Sequence, residues 1–333
     1  MLGKNRSKHE MNSHAPTDQT TPSVRDRAKI KLQRDMGPEL LAHLSDARTV
    51  EVLLNEDGQL WLERLGEPMC CVGSLRPAQG RAIIETVAGY HGKEITWATP
   101  LLEGEFPLDG SRFAGQLPPV VRAPVFAIRK HASTVFTLDQ YVDAEIMTAQ
   151  QRDVLVDAVR AHRNILVIGG TGSGKTTLTN AVIDEIVRQK PDERLVIIED
   201  TGEIQCAATN YVQYHTSNEV SMTHLLRTTL RMRPDRILVG EVRGPEALDL
   251  LMAWNTGHEG GVATLHANNA IAALDRLAML ISMHPESPHP IEPLIGSAVH
   301  LIVHISREGR SRRVREILQI AGFANGQYLT TPL

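Results

Sequence analysis

The chain has 333 residues, 42% of them hydrophobic and 22% charged, a composition that builds a folded core and leaves room for two domains. Its apolar runs are strand-sized rather than the ~20 residues of a bilayer-spanning helix, its opening residues lack a secretory signal, and its three cysteines form neither a disulfide framework nor a Cys-x-x-Cys zinc pair. This cysteine usage favours a reducing compartment, so we expect a cytoplasmic protein. The net charge of −4 gives no overall attraction to nucleic acid, so we do not expect direct nucleic-acid binding.

The first part of the chain predicts a tail followed by a small domain. Residues 1–35 have few large apolar groups and are expected to be flexible. Residues 36–130 show short strand patterns, with a hairpin over 50–62, a helix near 80–90 and a strand over 124–129, which indicate an N-terminal mixed α/β domain. Residues 131–140 are expected to be a linker.

The rest of the chain, residues 141–333, alternates apolar strands with helical stretches. A helix is predicted around 150–162, and strands at 164–168, 194–199, 236–240, 261–265 and 299–304. Their hydrophobic runs are continuous, which is typical of a mostly parallel sheet covered on both faces by helices. The pattern predicts a RecA-like α/β arrangement, so the fold class is α/β, with an N-terminal mixed α/β domain and a C-terminal RecA-like domain that has a mostly parallel sheet.

A glycine loop follows the first of these strands and begins with Gly169. Glycines permit the backbone conformations in which successive N–H groups turn inward around phosphate oxygens. Lys175 is then expected to lie along the β- and γ-phosphates of ATP, and the Thr176 hydroxyl to bind Mg²⁺. The alternative is a turn that only connects two core elements. With this loop, the C-terminal domain is predicted to be a P-loop NTPase domain. The predicted nucleotide-binding residues are Gly170, Thr171, Gly172, Ser173, Gly174, Lys175, Thr176 and Thr177.

Carboxylates end the next two predicted strands. Glu199 and Asp200, with Glu203 shortly after, are expected at the edge where a parallel sheet binds ligands, and there they would orient water or hold Mg²⁺ through water; the alternative is that they cap the next turn. Glu241 ends the third strand with no aspartate before it. We predict that it positions the attacking water and approaches Mg²⁺ through water, unless it only pairs with Arg243, itself a candidate catalytic residue.

Two histidines and two arginines complete the candidate catalytic set. His258 and His266 flank the predicted strand at 261–265, where a histidine can sense the γ-phosphate; a structural role is the alternative, and metal ligation is the least favoured interpretation. Arg112 and Arg129 lie in the N-terminal domain. Either would stabilise transition-state charge if it reached the phosphates, whereas most arginines pair on the surface.

These motifs together resemble the secretion ATPases of type II and type IV secretion and type IV pilus machines. The resemblance covers the chain from about residue 38 to the end, and rests on four segments in the same order, 169–177, 198–203, 231–243 and 256–266. It implies a homohexameric ring in which the two domains clamp ATP and Arg112 and Arg129 reach its phosphates. The chain lacks the tetracysteine insertion of many type II assembly ATPases, which favours the type IV conjugation branch.

The resemblance predicts an ATPase that couples hydrolysis to pilus biogenesis or substrate transfer. It would associate peripherally with the inner membrane and bind inner-membrane components of a conjugative type IV secretion apparatus. Three alternatives stay open: a RecA-like nucleic-acid motor, a type II secretion or type IV pilus ATPase, and a ring subunit that binds ATP only to assemble.

Overall fold

The computed structural model describes residues 23–131, 135–217, 219–309 and 311–333. Their strands form two separate sheets, which confirms the predicted fold class, a mixed α/β part followed by a part with a mostly parallel sheet. The helices are α1 (Val24–Ser45), α2 (Pro77–Tyr90), α3 (Leu138–Asp143), α4 (Ala149–Arg160), α5 (Lys175–Gln189), α6 (Met222–Thr229), α7 (Glu246–Trp254), α8 (Ala270–Ser282) and α9 (Glu292–Ala298).

The first sheet is antiparallel throughout, in the order β3-β2-β1-β6-β5-β4. Its strands are β1 (Thr49–Leu54), β2 (Gln59–Arg64), β3 (Cys70–Ser74), β4 (Leu101–Glu105), β5 (Arg112–Gln116) and β6 (Val125–Arg129). The predicted hairpin is β1–β2, in which Leu54 pairs with Leu60. Helices α1 and α2 bury their apolar faces with this sheet in one core that includes Leu32, Ile83 and Phe113.

Helix α1 corrects the predicted tail. It begins at Val24 with a reciprocal capping box between Ser23 and Asp26, so residues 24–35 are helical rather than flexible. Leu32 and Met36 are four residues apart and buried, but the many charged residues around them hide this periodicity in the sequence. The remaining part of the predicted tail, residues 1–22, lies outside the described residues.

The second sheet has the order β14-β13-β12-β7-β11-β10-β8-β9. Its strands are β7 (Ile165–Ile168), β8 (Leu195–Glu199), β9 (Tyr211–His215), β10 (Arg236–Val242), β11 (Val262–Leu265), β12 (Leu301–Glu308), β13 (Ser311–Ala324) and β14 (Gln327–Pro332). The strands β12, β7, β11, β10, β8 and β9 run parallel to one another. Strands β13 and β14 extend the sheet beyond β12 with antiparallel pairing.

All five strands predicted for this part are present, because each is a continuous apolar run buried between helices. Strands β9, β13 and β14 were not predicted. The expected linker over 131–140 is also shorter than predicted, since α3 begins at Leu138, while residues 132–134 lie outside the described residues. Among the described residues, no helix is both long and apolar enough to cross a bilayer.

Candidate functional site

A cleft of about 240 Å³ lies between the carboxyl edge of the parallel strands and the first sheet. Ligands bind at this edge in open parallel sheets because the loops that follow the strands converge there. The cleft is lined by Arg112, Arg129, Thr171, Gly172, Lys175, Thr176, Glu199, Asp200, Thr201, Glu203, Gly240, Glu241, Arg243 and His266. Both sheets therefore contribute side chains to one cavity.

The glycine loop between β7 and α5 is built so that only glycine fits its key positions. Gly172 and Gly174 have positive φ angles of 69° and 97°, which side chains strongly disfavour. At Gly169, a Cβ would lie 2.2 Å from the carbonyl oxygen of Ile305. Ser173, at the centre of the loop, has a buried hydroxyl with no hydrogen-bond partner. A loop of this form at the start of a helix fits a phosphate chain.

The ammonium of Lys175 sits inside this loop. Its Nζ donates to the carbonyl oxygens of Gly169 and Gly170, both at 3.1 Å, and lies 3.4 Å from each ring nitrogen of His266. Burial lowers the pKa of Lys175, an effect that the nearby Glu241 carboxylate opposes. A buried cation held by loop carbonyls is placed to meet an anion that enters the cleft.

Glu241, at the end of β10, contacts Arg243 and His266. One carboxylate oxygen accepts from Arg243 Nη2 at 2.5 Å, and the other lies 2.8 Å from His266 Nε2. Burial opposes ionisation of Glu241, but the hydrogen bond and charge of Arg243 hold its pKa below the usual range. Burial and the charge of Lys175 lower the pKa of His266. A carboxylate beside a neutral imidazole results.

Two carboxylates at the end of β8 and in the loop after it, Glu199 and Glu203, have different roles. The buried Glu199 carboxylate accepts from the backbone N–H groups of Glu203 (2.8 Å) and Ile204 (3.0 Å) and from the Gln213 side chain. Its oxygens therefore hold the following turn, as the alternative interpretation describes. Glu203 instead faces the glycine loop, since its Oε2 accepts from the Thr176 hydroxyl at 3.2 Å.

Asp200, the third residue of this acidic group, also lines the cleft. Its carboxylate pairs with Arg243 Nη1 at 3.0 Å and accepts from the Thr216 hydroxyl at 2.8 Å. Arg243 thus bridges Asp200 and Glu241. The predicted pairing of Glu241 with Arg243 is present, and it leaves Glu241 in the cleft.

Arg112 and Arg129 form the wall that the first sheet contributes. They stand opposite each other on the neighbouring strands β5 and β6, and both line the cleft. Arg112 Nη1 lies 3.9 Å from Glu203 Oε1. The antiparallel pairing of two strands thus brings together two arginines that are 17 positions apart (129 − 112) in the sequence.

His258 is the one predicted catalytic residue that lies away from this cleft. It precedes β11, at the amino edge of the parallel strands, and its Nδ1 lies 3.2 Å from the carbonyl oxygen of Pro234. His266, which follows β11, lies at the carboxyl edge. Since parallel strands present their two ends at opposite edges, one short strand separates the two histidines.

Gly240 is a site residue that sequence reasoning missed. A Cβ at position 240 would lie 2.7 Å from the Cβ of Glu199 on the neighbouring strand β8. The missing aspartate before Glu241 was the available signal, but its cause is a contact between strands that only the fold reveals.

The donor set of the cleft suits a magnesium ion bound with a nucleotide. The Thr176 hydroxyl and the Glu241 carboxylate are hard oxygen ligands. Within the described ranges, no group of three or more His, Cys, Asp or Glu side chains is arranged to hold a metal.

Comparisons with known proteins identify the family of this chain. The family model described as type II/IV secretion system protein matches residues 112–321. The conjugal transfer protein TrbB of Rhizobium radiobacter is 50% identical over 300 residues, which cover 90% of this chain and 92% of that protein. The type IV secretion system protein PtlH of Bordetella pertussis is 36% identical, over 82% of this chain and 91% of that protein.

Among solved structures, the ATPase DotB of Legionella pneumophila is similar with a TM-score of 0.60. The match covers 92% of this chain and 83% of that one at 20% identity, and so supports the fold alone.

Proposed function

Because this chain belongs to the type II/IV secretion system protein family, we propose that it is a Mg²⁺-dependent ATPase of a conjugal-transfer type IV secretion system. ATP hydrolysis by this protein would drive pilus biogenesis or substrate transfer. The names of its relatives, a conjugal transfer protein and a type IV secretion system protein, favour this branch over a type II secretion or pilus ATPase.

One observation carries the assignment. Lys175, Glu241, Arg243 and His266 come from three different strand ends and meet within hydrogen-bond or ion-pair distance. Phosphoryl transfer needs a cation at the phosphates and a carboxylate that positions water, and this cluster supplies both next to a loop that fits phosphates.

In this mechanism the loop N–H groups and Lys175 bind the β- and γ-phosphates. Mg²⁺ bound with the nucleotide would be held by the Thr176 hydroxyl and, through water, by Glu241, and its charge would offset that of the phosphates. Glu241 orients the attacking water, and its low pKa keeps it ionised as an acceptor. His266 contacts both Lys175 and Glu241, so it is placed to respond when the γ-phosphate leaves.

The remaining residues tune this chemistry. Arg112 and Arg129 neutralise charge that develops on the transferred phosphoryl group. Asp200 orients Arg243, Glu203 orients the Thr176 hydroxyl, and Glu199 holds the loop that carries Glu203. His258 has no contact in this cleft and takes no part in this mechanism.

We further propose that the chain works as a homohexameric ring at the cytoplasmic face of the inner membrane, docked on membrane components of the secretion apparatus. The support is the family resemblance together with the position of the cleft between the two sheets. A nucleotide held from both sides would draw Arg112 and Arg129 toward the glycine loop, and hydrolysis would release them. Such closure is a movement that a ring can pass on to its partners.

The test is the ATPase rate as a function of protein concentration, with the mass of the assembly followed in parallel. If rings complete the active sites, specific activity rises as they form. Glu241→Gln should lower kcat by roughly 10²- to 10⁴-fold, the range of a lost general base, and Lys175→Ala should abolish turnover. Glu259→Gln, an exposed carboxylate outside the cleft, is the matched control and should behave as wild type.

Rings that form with nucleotide but hydrolyse at the background rate would contradict the proposal and make ATP an assembly ligand. A rate that is unchanged in Glu241→Gln would contradict the role of this carboxylate. Hydrolysis that depends on added single-stranded DNA would instead favour a nucleic-acid motor.

A further inference from the structure

The β12–β13 hairpin runs past the edge of the sheet and lies beside the glycine loop. Strand β12 pairs in parallel with β7, with His304 opposite Ile168. The next residues of the two segments are therefore neighbours, and a Cβ on Gly169 would lie 2.2 Å from the Ile305 carbonyl oxygen. The hairpin therefore packs against one side of the glycine loop.

Two arginines of this hairpin lie against the loop. Arg307 and Arg312 are directly paired across β12 and β13. A Cβ at Gly174 would lie 3.0 Å from Arg312 Cδ and 3.4 Å from its Nε, and one at Gly172 would lie 4.0 Å from Arg307 Nη1. Both cationic side chains are therefore beside the amino end of α5, which is the positive end of the helix dipole.

Among the described residues, these two arginines form one ion pair, that of Arg307 with Glu63, and Glu67 lines the small cavity beside them. The nearest carboxylate to Arg307 is that of Glu63, at 3.9 Å, and Arg307 also donates to the Gly309 carbonyl. Within the part of the chain that the structure describes, Arg312 has no ion pair, whereas the nearby Arg315 is paired with Glu308. Two cations next to a helix amino end repel that end unless an anion lies between them.

The order of the strands shows which part of a nucleotide would meet this pair. The sequence of neighbours is β12-β7-β11-β10. Glu241 at the end of β10 and His266 after β11 lie on one side of the loop, and the hairpin lies on the other. If the γ-phosphate is directed toward Glu241, as the proposed function requires, the α-phosphate and ribose end is directed toward the hairpin.

We propose that Arg312, supported by Arg307, binds the α-phosphate end of the nucleotide. This assignment rests on the proposed function, which supplies the orientation of the nucleotide. A guanidinium donates several N–H groups in a fixed fork, which suits it to phosphate oxygens. ATP and ADP share the α-phosphate, so Arg312 contributes to the affinity for both.

The experiment is calorimetric titration of the full-length protein with Mg-ADP and with a non-hydrolysable Mg-ATP analogue. Arg312→Ala should weaken both by a similar factor of about ten, the size expected for a hydrogen bond to a charged group. Arg312→Lys keeps the charge but not the forked set of donors, so its affinity should lie between those of wild type and Arg312→Ala. Arg307→Ala should weaken both ligands less. Arg313→Ala, on the adjacent exposed position of the same strand, should bind as wild type.

Two results would overturn the assignment. Equal ADP affinity in Arg312→Ala and wild type would remove Arg312 from the site, and a loss confined to the ATP analogue would place it at the γ-phosphate. If Arg312→Ala unfolds, the Arg312→Lys and Arg307→Ala affinities decide by the same criteria. If wild type binds ADP but does not hydrolyse ATP, and Arg312→Ala weakens ADP binding, this inference is supported while the proposed function fails. Absence of nucleotide binding by wild type would overturn both.

Discussion

The Cβ of Glu199 stands where a side chain on Gly240 would begin, since the two would be only 2.7 Å apart. These residues lie on the adjacent parallel strands β8 and β10, whose backbones are fixed by their hydrogen bonds. The Glu199 side chain cannot swing away either, because both its oxygens hold neighbouring groups. An aspartate directly before Glu241, which the sequence lacks, would therefore overlap Glu199.

We predict that Gly240→Asp lowers the free energy of unfolding by about 1–3 kcal/mol, the usual range for overpacking a core. ATPase activity should fall with it, because Glu241 follows directly. Chemical denaturation measures the stability. Gly89→Ala in α2 is the control, since a Cβ there meets nothing within 4 Å and an alanine favours the helix. An aspartate variant as stable as wild type would show that the strands separate more easily than this packing implies.

Glu199→Gln should lower the free energy of unfolding by about 1–3 kcal/mol, the cost of unsatisfied buried polar groups. Both carboxylate oxygens face N–H donors, so the amide nitrogen of glutamine would face a donor in either orientation. Denaturation of the variant should be compared with Asp200→Asn, whose pairs are exposed and should be worth less than about 1 kcal/mol. Equal stability of the two variants would contradict the anchoring role of Glu199.

The sequence predicts those parts of the fold and site that depend on local pattern. The central strands are continuous apolar runs, and the phosphate loop has its glycines and lysine at fixed spacing, so both could be found without the structure. Strand β13 was missed because Arg312, Arg313 and Arg315 make it resemble a charged surface loop. Its pairing along β12, not its composition, makes it a strand.

Contacts between distant segments could not be predicted. Nothing in the local pattern indicates that Glu199 would turn toward the N–H groups of the next turn while Glu203 faces the glycine loop. Arg112 and Arg129 were named from their sequence segments and the resemblance. The contact of Arg112 with Glu203, and the position of both arginines in the cleft, depend on how the two sheets face each other.

The histidine at the end of β9 predicts a pH dependence of stability. His215 Nε2 lies 3.7 Å from Glu199 Oε1, and the Glu199 carboxylate raises the pKa of His215 although burial opposes this. A raised pKa of His215 means that the folded protein binds this proton more tightly than the unfolded chain does. The stabilisation is therefore complete below the pKa of the unfolded chain, about 6.5, and is lost as the pH rises through the higher value in the folded protein.

We expect His215→Gln to cost more stability at pH 6 than at pH 8.5, as measured by denaturation at both values. A titration followed by NMR should place the midpoint of His215 above 6.5. In the same spectrum His300, whose pKa is lowered by burial and by Arg163, should titrate below that value. A penalty for His215→Gln that is equal at the two pH values would contradict the coupling to Glu199.

Arg112→Ala and Arg129→Ala should each lower kcat far more than they change KM, because both side chains line the cleft from the first sheet and act on charge that develops during transfer. Arginines that stabilise such charge contribute roughly 10³- to 10⁵-fold to the rate. Steady-state kinetics at saturating Mg-ATP, on assemblies of matched mass, give the measurement. Arg122→Ala is the control, since this arginine is exposed on the same part of the chain and lies outside the cleft. Losses confined to KM would assign the two arginines to ground-state binding of ATP, and unchanged kinetics would remove them from the site.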